Sequence, residues 1–340
     1  MRKVRFGLVG VGEIVREFHL PVMARNPRVE IVAACDVNAD SAQRVARQFD
    51  IPKTCTDFND LACDPKIEAA LVSVPNHLHA PVTVAMLQGG KHVLCEKPMA
   101  MTAADAQIML SATEAARHTL AIAHPWRCDQ DVRWLRDAIW SGRLGKVFKV
   151  RGHAVITGDF PSADGWRCNP RMSGGGVLMD VGIHVIDTIS FLFDDAQPPV
   201  RVTAHTANYF TEFPVEDTAT VLLEYPGGML AVIEAGWRHN FQHSPHGALE
   251  VFGAEGYART FPTELRFRKD GQEIIERPSL HPERPHIDAS MYATQIDSFL
   301  DALILGAKPP CDARQGYRNM LVLEAAYRSA RSGETAQMNS

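Results

Sequence analysis

The sequence predicts an α/β chain in two parts: a doubly wound parallel sheet at the N-terminal end, then an α+β domain whose sheet is mainly antiparallel. Three observations predict it. The chain has 340 residues, enough for two domains of roughly 150 residues each. Up to His124, short β-branched runs alternate with longer helical stretches, the rhythm of a parallel sheet with crossover helices. Beyond it, strands lie close together and are joined by Pro226-Gly227-Gly228 and Lys269-Asp270-Gly271, which is hairpin turn chemistry.

In the first domain, strands are expected at 5–9, 30–35, 69–74, 92–95 and 119–123, with a shorter one at 53–55. Helices fill the gaps, one after Gly12 and others at 39–49, 80–88 and 102–117, the third stopped by Gly89-Gly90. The rhythm changes after His124, so the boundary is placed near Pro125, dividing the chain into 1–124 and 125–340. A helix over 130–141 ends at Gly142 and a strand at 147–157 follows. Later strands at 200–209, 218–225, 229–235, 248–252, 257–260 and 264–268 should pair antiparallel. Two amphipathic helices, 289–305 and 313–331, close the chain, and the tail from Ser332 is expected to be loose.

Apolar residues make up 46% and charged residues 22%, the balance of a folded soluble protein rather than a disordered or fibrous one. A formal charge of -5 lacks the basic excess that phosphate-backbone binding needs, so nucleic acid is not an expected partner. No stretch reaches the eighteen or so consecutive apolar residues of a bilayer span. The basic, apolar start reads as a buried first strand, because glycines interrupt it and Glu13, Arg16 and Glu17 follow, unlike a signal peptide. Seven cysteines without a CxxC pair read as reduced thiols in a cytoplasm.

Gly10-Val-Gly12 follows the first strand and opens a helix, where a dinucleotide-binding turn belongs. Gly10 permits the tight turn and Gly12 the approach of a pyrophosphate to the helix N-terminus. Val15 stands where a third Gly or Ala would let the helix pack close to the sheet. Asp36 ends the second strand about twenty residues on, placed to accept hydrogen bonds from ribose hydroxyls or, alternatively, to cap the next helix. A carboxylate there repels a 2′-phosphate, and Val37 and Asn38 bring no Arg, so NAD is favoured over NADP.

Ligands in open parallel sheets bind beyond the carboxyl ends of strands, so Asn76, His77, His79, Glu96 and Lys97 should converge on one crevice. In the second domain the run Ser173-Gly-Gly-Gly-Val-Leu-Met-Asp180 leads to His184 and Asp187, at i, i+4 and i+7 of a helix face, next to glycines that admit another backbone or a ligand. A carboxylate and an imidazole one turn apart suit proton transfer. They also supply two ligands of a metal site, for which His153, His239, His243 or His246 would have to bring the third; no metal is expected. Arg127, Trp166, Asn169, Trp237, His239 and His243 are candidate pocket residues, a mixture of aromatic and polar groups that suits a hydroxylated ring.

The Gly10-x-Gly12 turn, Cys95-Glu-Lys-Pro98 and Gly-Gly-Gly-x-Leu-x-Asp180-x-Gly-x-His184 together resemble the glucose-fructose oxidoreductase / inositol dehydrogenase / MocA (Gfo/Idh/MocA) family over nearly the whole chain. The resemblance implies an N-terminal Rossmann domain and a C-terminal α/β domain with a large open sheet. One face of that sheet would carry the substrate pocket and the other a homodimer or homotetramer interface, for which Val221, Leu223, Leu230 and Val232 offer apolar material. It implies hydride transfer between a sugar or polyol hydroxyl carbon and a nicotinamide. Lys97, Asp180 and His184 would be catalytic, and Trp166-Arg167 would sit near the nicotinamide. The cofactor set is then Gly10, Val11, Gly12, Glu13, Ile14, Asp36, Val74, Pro75, Asn76, His79, Glu96, Lys97, Trp166 and Arg167, and the substrate set Lys97, Arg127, Trp166, Asp180, His184 and His243. Two other functions stay open at this point: NAD-assisted glycoside hydrolysis and non-catalytic dinucleotide sensing.

Overall fold

The computed structural model describes residues 2–156, 161–193, 197–238, 247–278 and 288–338. The chain divides into two compact units, Met1–Cys128 with Asp288–Tyr317, and Asp129–Ile287 with Arg318–Ser340. Sequence rhythm assigns all of 125–340 to one domain; the structure returns 288–317 to the first unit. The reason is packing: Phe299 of the helix Ala289–Leu305 meets Phe6 with ring centroids 6.1 Å apart, and Arg28 pairs with Asp297 at 2.6 Å and also with Asp301.

In the first unit, β1 (Val4–Val9), β2 (Val29–Cys35), β3 (Lys53–Cys55), β4 (Ala69–Val72), β5 (His92–Glu96) and β6 (Leu120–Ala123) form a sheet ordered β3-β2-β1-β4-β5-β6. Every pair is parallel. The inner strand β4 and the edge strand β6 are continuous apolar runs buried at every residue, as strands covered on both faces require, whereas the other edge strand, β3, is largely exposed. The strand order reverses between β1 and β4, the switch point where open α/β sheets bind ligands. Asn38 starts the helix Ala39–Gln48 by accepting the Ser41 amide, and Thr102 starts Ala103–Ala116 by accepting that of Asp105. The segment after the glycine turn departs from expectation. A π turn, Val15–His19, comes first, with Val15 fully buried, and only six residues of α-helix follow, Leu20–Arg25.

In the second unit, β7 (Val147–Val155), β8 (Arg201–Ala207), β9 (Thr218–Glu224), β10 (Leu230–Gly236), β11 (Gly247–Gly253), β12 (Gly256–Arg259), β13 (Glu264–Lys269), β14 (Gln272–Glu276) and β15 (Ala336–Gln337) make one sheet. Its order among the described residues is β14-β13-β12-β11-β7-β10-β9-β8-β15, antiparallel except where β10 meets β7. The tail expected to be loose is instead a strand: Ala336 pairs with Val202 and is buried. Side chains alternate as a one-sided sheet requires, with Val221, Leu223 and Ile233 fully buried, Leu230 exposed and Val232 half-buried. The stretch Pro170–Leu192 has the length and apolarity of a membrane-crossing helix, yet 72% of its most apolar window is buried inside the protein.

Candidate active site

Gly10 has φ +86, and a Cβ on it would lie 2.0 Å from the carbonyl oxygen of Ser73, so the turn after β1 admits only glycine. Gly12 is different: a Cβ there would meet nothing within 4 Å, leaving the backbone open to an approaching group. The Val11 amide donates to Asp36 Oδ2 at 3.0 Å and the Asn38 amide to Oδ1 at 2.9 Å. Because Asn38 caps the following helix, Asp36 is not its N-cap. Each Asp36 oxygen accepts one amide and keeps lone-pair capacity for a diol. Glu13 is exposed and Ile14 half-buried beside this turn. A dinucleotide fits here: an open glycine backbone at a helix start, with a carboxylate at the end of the neighbouring strand.

Beyond β4 and β5 the expected crevice residues separate. Val74, Pro75, His77 and Lys97 are half-buried, while Asn76, His79 and Glu96 are buried. His79 is a correction to the cofactor set: Nδ1 lies 2.7 Å from the Pro98 carbonyl and Nε2 2.9 Å from that of Val74, so the ring ties the end of β4 to the turn after Lys97. Glu96 is another. Its Oε1 lies 2.6 Å from Nε2 of the fully buried His19, and Oε2 accepts the Lys97 amide at 3.1 Å. Burial pushes this carboxyl up, but the His19 hydrogen bond and the Lys97 charge more than offset it and hold it below the usual range. Both Glu96 oxygens thus have partners within the protein, the buried His19 ring and the Lys97 backbone amide. Arg127 is a third correction: it has no exposed surface, and Nη1 donates to the Pro310 carbonyl at 3.0 Å.

In the second unit, Asp180 lies on a π turn, Leu178–Gly182, and His184 on the α-helix Ile183–Leu192 that continues it. Both are half-buried. The expected three-residue face does not form, because Asp187 is fully buried and accepts from Asn319 Nδ2 at 2.6 Å. Asp180 is held from two sides. The indole of Trp237 donates to Oδ2 at 3.1 Å, and Arg167 Nε approaches Oδ1 at 3.8 Å with its guanidinium 4.8 Å from the Trp166 ring centroid. Trp166, Arg167, Asp180 and Trp237 thus form one cluster. Asn169 caps the turn Pro170–Ser173 by accepting the Arg171 amide, a structural task rather than a pocket one. His239, His243 and His246 lie outside the described residues.

Sequence reasoning missed His19, Glu216, Asp217 and Tyr327. Glu216 accepts the amides of Gly176 and Leu178 and the hydroxyl of Tyr327, while Asp217 is fully buried and accepts those of Tyr209, Phe210 and Thr211. Two adjacent acids at the head of an alternating, half-apolar strand were the available signal, since a buried carboxylate needs donors.

A dinucleotide turn at the switch point of a parallel sheet, followed by a sheet domain that displays a carboxylate and an imidazole, defines an oxidoreductase architecture. Residues 4–124 match the oxidoreductase family with NAD-binding Rossmann fold, and residues 132–259 match the GFO/IDH/MocA C-terminal domain. The chain belongs to this family, and the resemblance carried by its three motifs is borne out. It is 30% identical to 1,5-anhydro-D-fructose reductase of Ensifer adhaerens over 98% of each sequence. It is 27% identical to an NADP(+)-linked D-xylose 1-dehydrogenase of Haloarcula marismortui over 99% of this chain and 93% of that one. Among solved structures, aldose-aldose oxidoreductase from Caulobacter crescentus, complexed with glycerol, superposes with a TM-score of 0.85 at 26% identity, covering 99% of this chain and 100% of that one. The protein is an oxidoreductase with an NAD-binding Rossmann domain.

Proposed function

We propose that the protein is an NAD-linked dehydrogenase acting on a hydroxyl carbon of a sugar or polyol. The observation that carries the reaction class is Asp180, a half-buried carboxylate fixed by Trp237 and Arg167, with His184 following on the continuing helix. A bound nicotinamide supplies the hydride acceptor. As hydride leaves the hydroxyl carbon, the hydroxyl proton must go to a base, and a carbonyl forms. His184 is that base, since imidazole exchanges protons near neutral pH. Asp180 orients the hydroxyl and its neighbours, and Lys97 is the cation that steadies the developing alkoxide. Asp36 supports NAD over NADP, because its carboxylate repels a 2′-phosphate and the exposed Val37 and Asn38 supply no cation. Sugar substrates are supported by the relatives, one of which reduces 1,5-anhydro-D-fructose and another of which oxidises D-xylose.

The same reading includes a homodimer or homotetramer through the outer sheet face, where Leu222, Leu230 and Val232 stand half-buried or exposed. It also includes a cytoplasmic location, supported by seven cysteines with no CxxC pair among them. Light scattering tests the first.

The test of function is turnover on a panel of aldoses, polyols and uronates, read by nicotinamide absorbance. Lys97→Ala and His184→Ala should each lower kcat by about 10²- to 10⁴-fold and leave NADH affinity within a few-fold. Unchanged turnover in both would remove the proton-transfer reading.

A further inference from the structure

The helix that carries Asp180 and His184 has no cap of its own. Val177 stands at its start and offers no side-chain hydrogen bond. The first amides of any helix need outside acceptors, and here two distant residues supply all of them. The Gly176 amide donates to Glu216 Oε2 at 2.9 Å, Val177 to the Glu216 carbonyl at 2.9 Å, and Leu178 to Glu216 Oε1 at 3.0 Å. Met179 donates to Tyr327 Oη at 3.2 Å, and that hydroxyl donates in turn to Glu216 Oε1 at 2.8 Å. From Asp180 onward the helix provides for itself, beginning with the Asp180 amide on the Gly176 carbonyl.

Gly175 and Gly176 leave the room this clamp needs, while Gly174, at φ +83, ends the preceding turn. A Cβ on Gly175 would lie 2.0 Å from Tyr327 Oη, and one on Gly176 would lie 2.0 Å from the Glu216 carbonyl. A carboxylate at this end also suits the positive end of the helix dipole. The neighbouring Asp217 reaches Asp180 by a second route: its carbonyl accepts the Trp237 amide at 3.0 Å, and the Trp237 indole holds Asp180 Oδ2 at 3.1 Å.

The clamped turn is a π turn, a rare arrangement that sits between two α-helical registers. If its first amides lose their acceptors, the turn is free to relax into α register, and at 3.6 residues per turn a slip of one residue swings Asp180 by about 100° around the axis. We propose that Glu216 and Tyr327 are positioning residues of the reaction: by fixing where this helix begins, they set the place of the Asp180 carboxylate relative to His184. The proposal rests on the proton-transfer roles given above to Asp180 and His184.

The test uses full-length Glu216→Gln and Tyr327→Phe, with His184→Ala alongside. Wild type and variants are compared in melting temperature, in NADH affinity, and in kcat against pH with the panel sugar that the wild type oxidises fastest. A second readout needs no substrate: the indole N–H cross-peak of Trp237, picked out among the five tryptophans by Trp237→Phe. Folded Glu216→Gln and Tyr327→Phe should lose about 10- to 100-fold in kcat, the scale set by a misplacement near 1 Å. NADH affinity should hold within about 3-fold. The Trp237 peak should move, and the histidine limb of the pH profile should shift.

Wild-type kcat and pH profile in folded Tyr327→Phe overturn the proposal, because a merely structural role lowers melting temperature and nothing else, and so does lost turnover with an unmoved Trp237 peak, because the loss then does not pass through the placement of Asp180. Should Glu216→Gln fail to fold, Tyr327→Phe decides alone, since it keeps the ring and removes one hydroxyl. An active His184→Ala defeats the acid-base reading, and the positioning proposal with it. An inactive His184→Ala beside a fully active Tyr327→Phe defeats only the positioning.

Discussion

The nucleotide end of the first unit and the acid-base helix of the second are positioned by opposite means. At the nucleotide end, the Gly10 amide donates to the Cys35 carbonyl and the amides of Val11 and Asn38 to the Asp36 carboxylate, all at the ends of two adjacent strands, with Val11 and Asp36 25 residues apart and Asp36 and Asn38 two. On the acid-base helix, Asp180 is placed by Trp237, 57 residues away, and its helix start by Glu216 and Tyr327, 40 and 148 residues from the amides they accept. A site made of turns depends on backbone conformation and fails all at once. A site placed by side chains gathered from afar can be detuned while the fold stands.

The largest break in that comparison should come from Gly10→Ala. The added methyl collides with the Ser73 carbonyl at a left-handed backbone position, which costs about 1–3 kcal/mol and displaces the turn. NADH affinity should fall more than about 10-fold, a loss of about 1.4 kcal/mol or more, measurable by fluorescence titration. Retained affinity would show that the first site tolerates backbone movement as the second is proposed to.

Asp36→Ser should act more gently. Removing the carboxylate relieves the repulsion of a 2′-phosphate while leaving the glycine turn in place, so the ratio of NAD to NADP affinity should fall by about 10-fold, an ion-pair-sized effect near 1.4 kcal/mol. A ratio unchanged in paired titrations would move the source of selectivity away from β2.

The smallest effect sharpens the contrast within one dipeptide. Burial pushes both Glu216 and Asp217 up, but the amides of Tyr209 and Phe210 with the hydroxyls of Thr218 and Thr211 bring Asp217 below its usual value, whereas Glu216 stays above its own. Stabilisation from Asp217 is therefore present above the ordinary carboxylate pKa, near 4, and is lost as pH falls through the lowered value. The raised Glu216 works the other way, and its contribution is lost as pH rises. Melting temperature between pH 3 and 6 should drop on acidification more steeply in wild type than in Asp217→Asn. Parallel curves would place the acid lability elsewhere.

Much of the fold was legible because strands and helices declare themselves by period and punctuation. Ala289–Leu305 and Lys53–Cys55 fall where expected, and most other bounds shift by one or two residues. The two π turns were not legible, since an extra residue in a helical turn leaves no trace in hydrophobic spacing. Nor was β14, a short strand of charged residues around Ile274 and Ile275, or the pairing of β15. In the site, Gly10, Gly12 and Asp36 could be read because their task is local. His79 and Glu96 were placed at a ligand because they stand near strand ends, and Arg127 because it belongs to a mixture of aromatic and polar residues; sequence does not show which way any of them turns. All three are buried, His79 and Arg127 against backbone carbonyls and Glu96 against His19.

The pairing of the chain's last strand has a consequence for self-association. An open sheet ends in a strand with unsatisfied amides and carbonyls, a template on which any extended chain can assemble. Here β8 would be that strand. Ala336 and Gln337 pair with it, Met338 donates to the Val200 carbonyl, Ser329 Oγ accepts the Ala204 amide, and Thr335 meets Thr203. Residues 336–338 act as a stopper on the sheet, so a charged residue in place of the buried Ala336 would unseat them and expose an edge that recruits other strands.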